Sequence, residues 1–357
     1  RAIATGPPHM KTQTLIIGGG LTGLALAYRL EQAGHDNQLI EARSRFGGRI
    51  KSLTVQGANI ALGPSWVWPG QARVAAILDH LGLSVFEQFS IGTQLYEHPN
   101  GEVAQNAGFM SMAGAMRITG GTSALTDALS SQLDPARTHL NMAATAIADG
   151  KVTLQSGQTI QADTIVLSIP PRLAAKLSYT PALPDAGLSS LQATPVWMGA
   201  HAKFVAVYDT PFWRDNGLSG DASSRRGPLA EIHDASPADG SLGALFGFMG
   251  LPADVRKQAG PALIDATLAQ LENLFGPQAT TPIATHLEDW SRAPFTSTTA
   301  DATAPPGHPP YLKPRPLHDI WNGTLIFAVT EMTSDNGGLI EGALAASEDA
   351  ANQILNG

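Results

Sequence analysis

The chain has 357 residues, 43% hydrophobic and only 15% charged, which supplies the core of one large or two ordinary domains and excludes a disordered or small disulfide-built protein. With 30 acidic and 22 basic residues the net charge is -8, so nucleic acid is not an expected partner. Cysteine is absent, which removes disulfides, thiolate metal sites, a cysteine nucleophile and a flavin tethered through sulfur, and is compatible with a cytoplasmic protein.

Residues 1–10, RAIATGPPHM, lack the apolar stretch of a secretory signal and read as a vector-derived leader ending near a natural start at Met10. No run of about 18 uncharged apolar residues follows, so no membrane association is expected. The run from Thr12 to Ile17 is short, apolar and β-branched, the pattern of a buried parallel strand. Gly18, Gly20 and Gly23 then fill the slots of GxGxxG, and Leu21, Leu24, Ala25, Tyr28 and Leu30 follow at helical spacing until Gly34. A second strand ends at Glu41, 18 residues after Gly23. The pattern is that of a dinucleotide site. Gly18 permits the turn out of the strand, Gly20 lets backbone N–H groups reach a pyrophosphate, and Gly23 allows close helix–strand packing. The helix N-terminus at Leu21 and Thr22 adds its positive end. Glu41 suits ribose hydroxyls and disfavours a 2′-phosphate.

Glu41, Ala42 and Arg43 open a second glycine-rich stretch that runs through Gly47 and Gly48 to Arg49. Alone, such a loop could equally be a solvated basic surface; beside the first motif it reads as forked guanidinium partners for the pyrophosphate. The stretch from Ile16 to Ile50 resembles the opening of the flavin-containing amine oxidases, the family of the monoamine, polyamine and L-amino-acid oxidases. Further islands resemble the same family. Gly63-Pro64-Ser65-Trp66 is similar to its segment beside the flavin ring. Arg117 to Gly121 is similar to the approach to a nucleotide-domain helix. Ala162 to Pro171, with Pro170, resembles its "AD.VI…PP" strand. Phe327 to Glu331, with Thr330 and Glu331, and Glu341-Gly342-Ala343 resemble its C-terminal signature.

The resemblance implies FAD as cofactor, bound non-covalently because a threonine stands near the position of the covalent-flavin cysteine. After Gly337-Gly338 an alanine-rich run predicts a helix from about Leu339 to Leu355, and the resemblance implies that its N-terminus, at Gly338, Leu339 and Ile340, points at the pyrimidine end of the flavin. Lys203, followed by Pro211-Phe212-Trp213, resembles the lysine bridged by water to flavin N5. Trp290 matches a tryptophan packed near the flavin, although its residue type serves equally as core. The family's two rings facing the flavin are missing: Leu339 stands at one position and Ala300 is matched to the other. Val329 replaces a glycine. No second GxGxxG indicates an NAD(P)H domain.

The resulting expectation is an α/β fold: a discontinuous Rossmann-like FAD-binding domain (11–70, 118–172, 320–357) with an inserted mixed-sheet substrate domain (71–117, 173–319). A helix is expected from Pro261 to Phe275. The segment from Pro305 to Pro316 contains six prolines and reads as an extended loop, lid or linker. Residues 71–117 are few for the family's helical subdomain, which suggests an open pocket completed by a partner subunit, with a homodimer possible, or a bulky substrate. The leading function is oxidation of a small-molecule amine by hydride transfer to flavin N5, with O2 as acceptor and H2O2 as product. The alternatives are an FAD-dependent desaturase, dehydrogenase or isomerase on a non-amine substrate, and a flavin-binding partner subunit without turnover. No histidine spacing suggests a metal, and His201 and His233, near predicted strands, read as packed or exposed rather than catalytic.

Overall fold

The computed structural model describes residues 10–106 and 112–357. Of the leader, residues 1–9 lie outside the described residues, and Met10 begins the first strand, Met10–Ile17. That strand lies at the centre of an eight-stranded sheet. It pairs in parallel with Asn37–Ile40 on one side and with Thr159–Leu167 on the other. Burial on both faces accounts for their apolar runs. The long strand Thr159–Leu167 changes neighbour along its length: Thr159 to Gln161 pair antiparallel with Lys151–Leu154, while Ile165 to Leu167 pair in parallel with Leu325–Phe327. The amino- and carboxyl-terminal parts of the chain thereby share one sheet.

The helices Leu21–Gln32, Ser123–Gln132 and Ile340–Asn356 cover one face. Leu24, Leu125 and Leu344 are buried in that layer. Two features depart from the expected segmentation. Strand Ser178–Thr180 joins this sheet beside Ala144–Ala148, beyond the boundary expected at 172. Helix Ala72–His80 packs Val74 and Leu78 into the same core, although 71–117 was assigned to the substrate domain. Their hydrophobic faces fit this sheet, and no signal in those short stretches distinguishes the two layers.

The second sheet has seven strands, in the order Ala284–Asp289, Ala202–Tyr208, Gly243–Met249, Leu229–Asp234, Leu218–Ser224, Thr93–Glu97 and Val103–Gln105. All pairs are antiparallel except Leu218–Ser224 with Thr93–Glu97, so the sheet is mixed as expected. Helix Ala262–Phe275 covers one face and buries Leu263, Leu271 and Phe275. Among the described residues no helix is long and apolar enough to cross a membrane.

Candidate active site

The glycine turn is built by close contact. Gly18 has φ +111°, and a Cβ there would lie 2.5 Å from the Ser168 carbonyl oxygen. A Cβ on Gly23 would lie 1.9 Å from the Gly18 carbonyl oxygen, so helix Leu21–Gln32 can sit this close to its strand only with glycine. Gly20 is different: a Cβ there would meet only the Gly48 Cα, at 3.9 Å, and would otherwise project into open space. That space is one end of a cavity of about 550 Å3. Gly20 begins the helix without a side-chain cap, and the first turn carries no acid. The dipole end and the orphan N–H groups of that turn are left for an anion.

Glu41, only 3% exposed, closes the strand edge. Its Oε2 accepts from the Gly19 N–H and its Oε1 from the Arg43 N–H, each at 2.8 Å. Each oxygen keeps a lone pair for a hydroxyl donor. Arg43 Nη2 reaches to the Pro294 carbonyl at 2.7 Å and the Thr296 hydroxyl at 2.6 Å, joining parts of the chain about 250 residues apart. Arg49 is held by Glu331 through a forked ion pair, in which the bond to Oε2 is 3.1 Å. Glu331 is fully buried and backs Arg49 from behind the cavity wall. Gly-rich approach, capless helix, ribose acceptor and fixed guanidinium together fit a dinucleotide such as FAD.

At the other end stands Lys203, on strand Ala202–Tyr208 and 2% exposed. Its Nζ donates to Ser65 Oγ at 2.6 Å and to the Gly63 carbonyl at 3.1 Å. Burial, with Arg117 adding like charge, pulls its pKa well below the ordinary lysine value. The Phe246 ring, 3.8 Å from Nζ, favours the ammonium but does not replace its lost water. Its Nζ thus spends donors on Ser65 and Gly63 while facing the Phe246 ring. Trp290 donates from Nε1 to the Leu62 carbonyl at 3.0 Å and packs over Gly63. Trp66 donates to Gln88 at 2.8 Å and stands edge-on to His233, with ring centres 5.0 Å apart. Burial opposes a charge on His233, but its bonds to Asp221 and Glu231 raise its pKa overall.

Helix Ile340–Asn356 brings a second capless N-terminus to the cavity, where Leu339, Ile340 and Ala343 line the wall. Its first-turn acid, Glu341, turns away from the cavity. It accepts from the Val74 and Arg73 N–H groups at 2.9 and 3.1 Å, at the start of helix Ala72–His80.

Most residues singled out in the sequence meet in this cavity. Gly18, Gly20, Leu21, Thr22, Glu41, Ala42, Arg43, Gly48 and Arg49 line one part of it. Gly63, Pro64, Ser65, Trp66, Pro170, Lys203, Trp290, Thr330, Gly338, Leu339 and Ile340 line the rest. Gly23 and Glu331 serve from behind the lining. Ala300 is a correction: it is exposed, in the turn Thr299–Ala302, and does not line the cavity. That turn is held outside because Asp301 caps Thr298 and takes Arg172 Nη1 at 2.6 Å. Unforeseen in the sequence are Trp197, Met198 and Phe248, while His201, read there as packed or exposed, also lines the cavity. Phe248 stands opposite Lys203 in the strand register, a pairing that cannot be read before the sheet order is known.

The fold is a Rossmann-like sheet and a second, mixed sheet that both contribute to one cavity whose lining suits a dinucleotide. Residues 99–355 match the sequence family described as flavin containing amine oxidoreductase, and residues 16–81 match a NAD(P)-binding Rossmann-like domain. The chain therefore belongs to the flavin-containing amine oxidoreductase family and is an FAD-dependent oxidoreductase. It is 23% identical to a putrescine oxidase of Kocuria rosea, over 80% of this chain and 84% of that one. It is also 23% identical to a probable flavin-containing monoamine oxidase A of Dictyostelium discoideum, over 96% and 98%. In fold it is similar to a redesigned putrescine oxidase (TM-score 0.83, 21% identity, 98% of this chain and 100% of that one). The cyclohexylamine oxidase of Brevibacterium oxydans IH-35A gives a TM-score of 0.81 at 22% identity, over 96% and 98%.

Proposed function

We propose that the protein oxidises a small amine carrying one nitrogen and an apolar body. FAD, held without a covalent bond, supplies the hydride acceptor for the amine's α-C–H, and O2 restores it with release of H2O2. The observation that carries the reading is Lys203, a buried amine fixed by Ser65 and Gly63 at the redox end of the cavity. Fixed there, Nζ is placed to exchange a proton beside the reacting atoms. Arg43, Arg49 and the two capless helix N-termini hold the anionic parts of the cofactor. Trp66, Trp290 and Phe248 exclude water from the reacting end.

The substrate class follows from charge. Among the described lining residues the one carboxylate is Glu41, already engaged at the dinucleotide end. Residues 107–111, AGFMS, contain no acid. The second ammonium of a diamine has no counter-charge, and burying it unpaired is costly. Both lining guanidiniums are also engaged, Arg43 with Glu41 and Thr296 and Arg49 with Glu331, so neither is free to clamp an amino-acid carboxylate, and the remaining described lining cation besides Lys203 is the exposed Lys176. His201 is held toward its neutral form by burial and by Arg256. The test is an anaerobic titration of the purified holoenzyme with benzylamine, cyclohexylamine, putrescine and L-leucine. Bleaching of the flavin band by the first two, at least about tenfold more efficient than by the others, supports the reading. Equal or better bleaching by putrescine overturns the substrate class, and no bleaching by any amine overturns the reaction.

A further inference from the structure

Leu339 and Ala300 leave the reacting end without the two rings sought in the sequence, yet a ring stands there from another segment. Trp197 lines the cavity, and its Cβ is 3.4 Å from where a Cβ of Gly338 would sit, next to Leu339. We infer that Trp197, held by the proline-rich segment, is the wall that orients the flat or alicyclic body of the amine. The inference deepens the reading above and rests on the same reacting end of the cavity.

The turn that presents Trp197 is fixed on every side. The Gly199 N–H returns to the Val196 carbonyl at 3.1 Å, and Met198 between them has φ +61°. A non-glycine residue held in the left-handed region needs its surroundings to hold it there. Those surroundings are visible. The Val196 N–H donates to Asp301 Oδ1 at 3.2 Å. The Tyr311 hydroxyl donates to the Pro195 carbonyl at 2.9 Å. The His308 ring packs against Trp197 with centres 5.0 Å apart and meets Tyr311 at 5.7 Å. His308 and Tyr311 both belong to the stretch from Pro305 to Pro316, so that stretch works as a brace rather than a bare linker. Asp301 adjoins Ala300: the segment where a ring was sought contributes an anchor, and the ring comes from the turn it anchors. A fixed aromatic face beside the reacting end contributes by stacking on an apolar body and limiting its rotation.

Aniline is a suitable probe because it is flat and has no α-C–H to surrender. It is titrated into holoenzyme of wild type, Trp197→Phe and Trp197→Ala while the flavin spectrum is followed. The wild type is expected to show a saturable spectral shift. Affinity is expected to fall about tenfold in Trp197→Ala and less than about threefold in Trp197→Phe. In stopped flow with benzylamine, the limiting rate of flavin reduction falls in Trp197→Ala and recovers when Leu339→Phe is added, which restores a ring to the adjoining position. Reduction by dithionite is unchanged throughout. Aniline binding that depends on Trp197 while no amine reduces the wild type would leave the wall standing and remove the reaction. Wild-type aniline affinity in Trp197→Ala, no aniline shift in the wild type, or a reduction rate indifferent to Trp197 would each overturn the assignment.

Discussion

Lys203 ties stability to chemistry at a single residue. In the unfolded chain it titrates near 10.5, and in the folded chain well below that. Between the two values the unfolded chain binds one more proton than the folded chain, so stability rises with pH across that window. Below the folded value the full penalty is present, and above 10.5 it is gone. Lys203→Met should lose this upward slope in thermal melts between pH 8 and 10. The same variant should slow flavin reoxidation by O2 by about 10- to 100-fold, measured by stopped flow after anaerobic reduction. Two glycines a turn apart make a second contrast. Gly20→Ala meets nothing closer than 3.9 Å in the protein but intrudes on the cofactor's space. Gly23→Ala drives a methyl onto the Gly18 carbonyl oxygen. The first should fold normally with FAD affinity reduced at least about tenfold, and the second should lose about 1–3 kcal/mol of apoprotein stability or more. Fluorescence titration and melting curves of the apoproteins separate them. These glycines were legible in the sequence because their duties are local: turn, approach and packing all fall within one strand–helix unit. Ala300 misled because its position was inferred along the chain, whereas Asp301 fixes it in space, outside the cavity wall.

Among the elements, the C-terminal helix does more than close the core. Glu341 in its first turn serves the N-terminus of helix Ala72–His80 instead of its own. Val74 beneath that bond is 2% exposed, so water cannot substitute. Glu341→Gln should cost about 1–3 kcal/mol, seen as a lower Tm with FAD affinity unchanged. The helix itself was legible from its alanine-rich run, and its start agrees within a residue. Its partner was not. Helix Ala72–His80 and strand Ser178–Thr180 are short, and their apolar residues say that something is covered without saying which sheet. The expected helix from Pro261 to Phe275 was easier, because fourteen residues carry several turns of an amphipathic pattern.

For the molecule as a whole, the motifs at the two ends of the chain and in its middle announced a shared cavity, and the sheet Leu325–Phe327, Thr159–Leu167, Met10–Ile17 is the reason they meet. The substrate side was far less legible. Trp197, His201 and Phe248 come from a turn, the residue before strand Ala202–Tyr208 and strand Gly243–Met249, and no short spacing marks residues whose neighbours are set by strand order. The bridge from Arg43 to Pro294 and Thr296 has a consequence for time rather than affinity. It joins two parts of the cavity lining, Arg43 on the nucleotide side and Thr296 on the segment after Trp290, and is expected to act as a clasp on a long ligand. Loading of the apoprotein should then be gated: the observed rate of FAD uptake reaches a ceiling as FAD is raised, set by how often the clasp opens. Thr296→Ala, which removes one of its two holds, should raise that ceiling and shorten the residence time of the cofactor in the same proportion. A protein built this way keeps its cofactor through many turnovers by slow escape, even where the contacts alone would let it exchange.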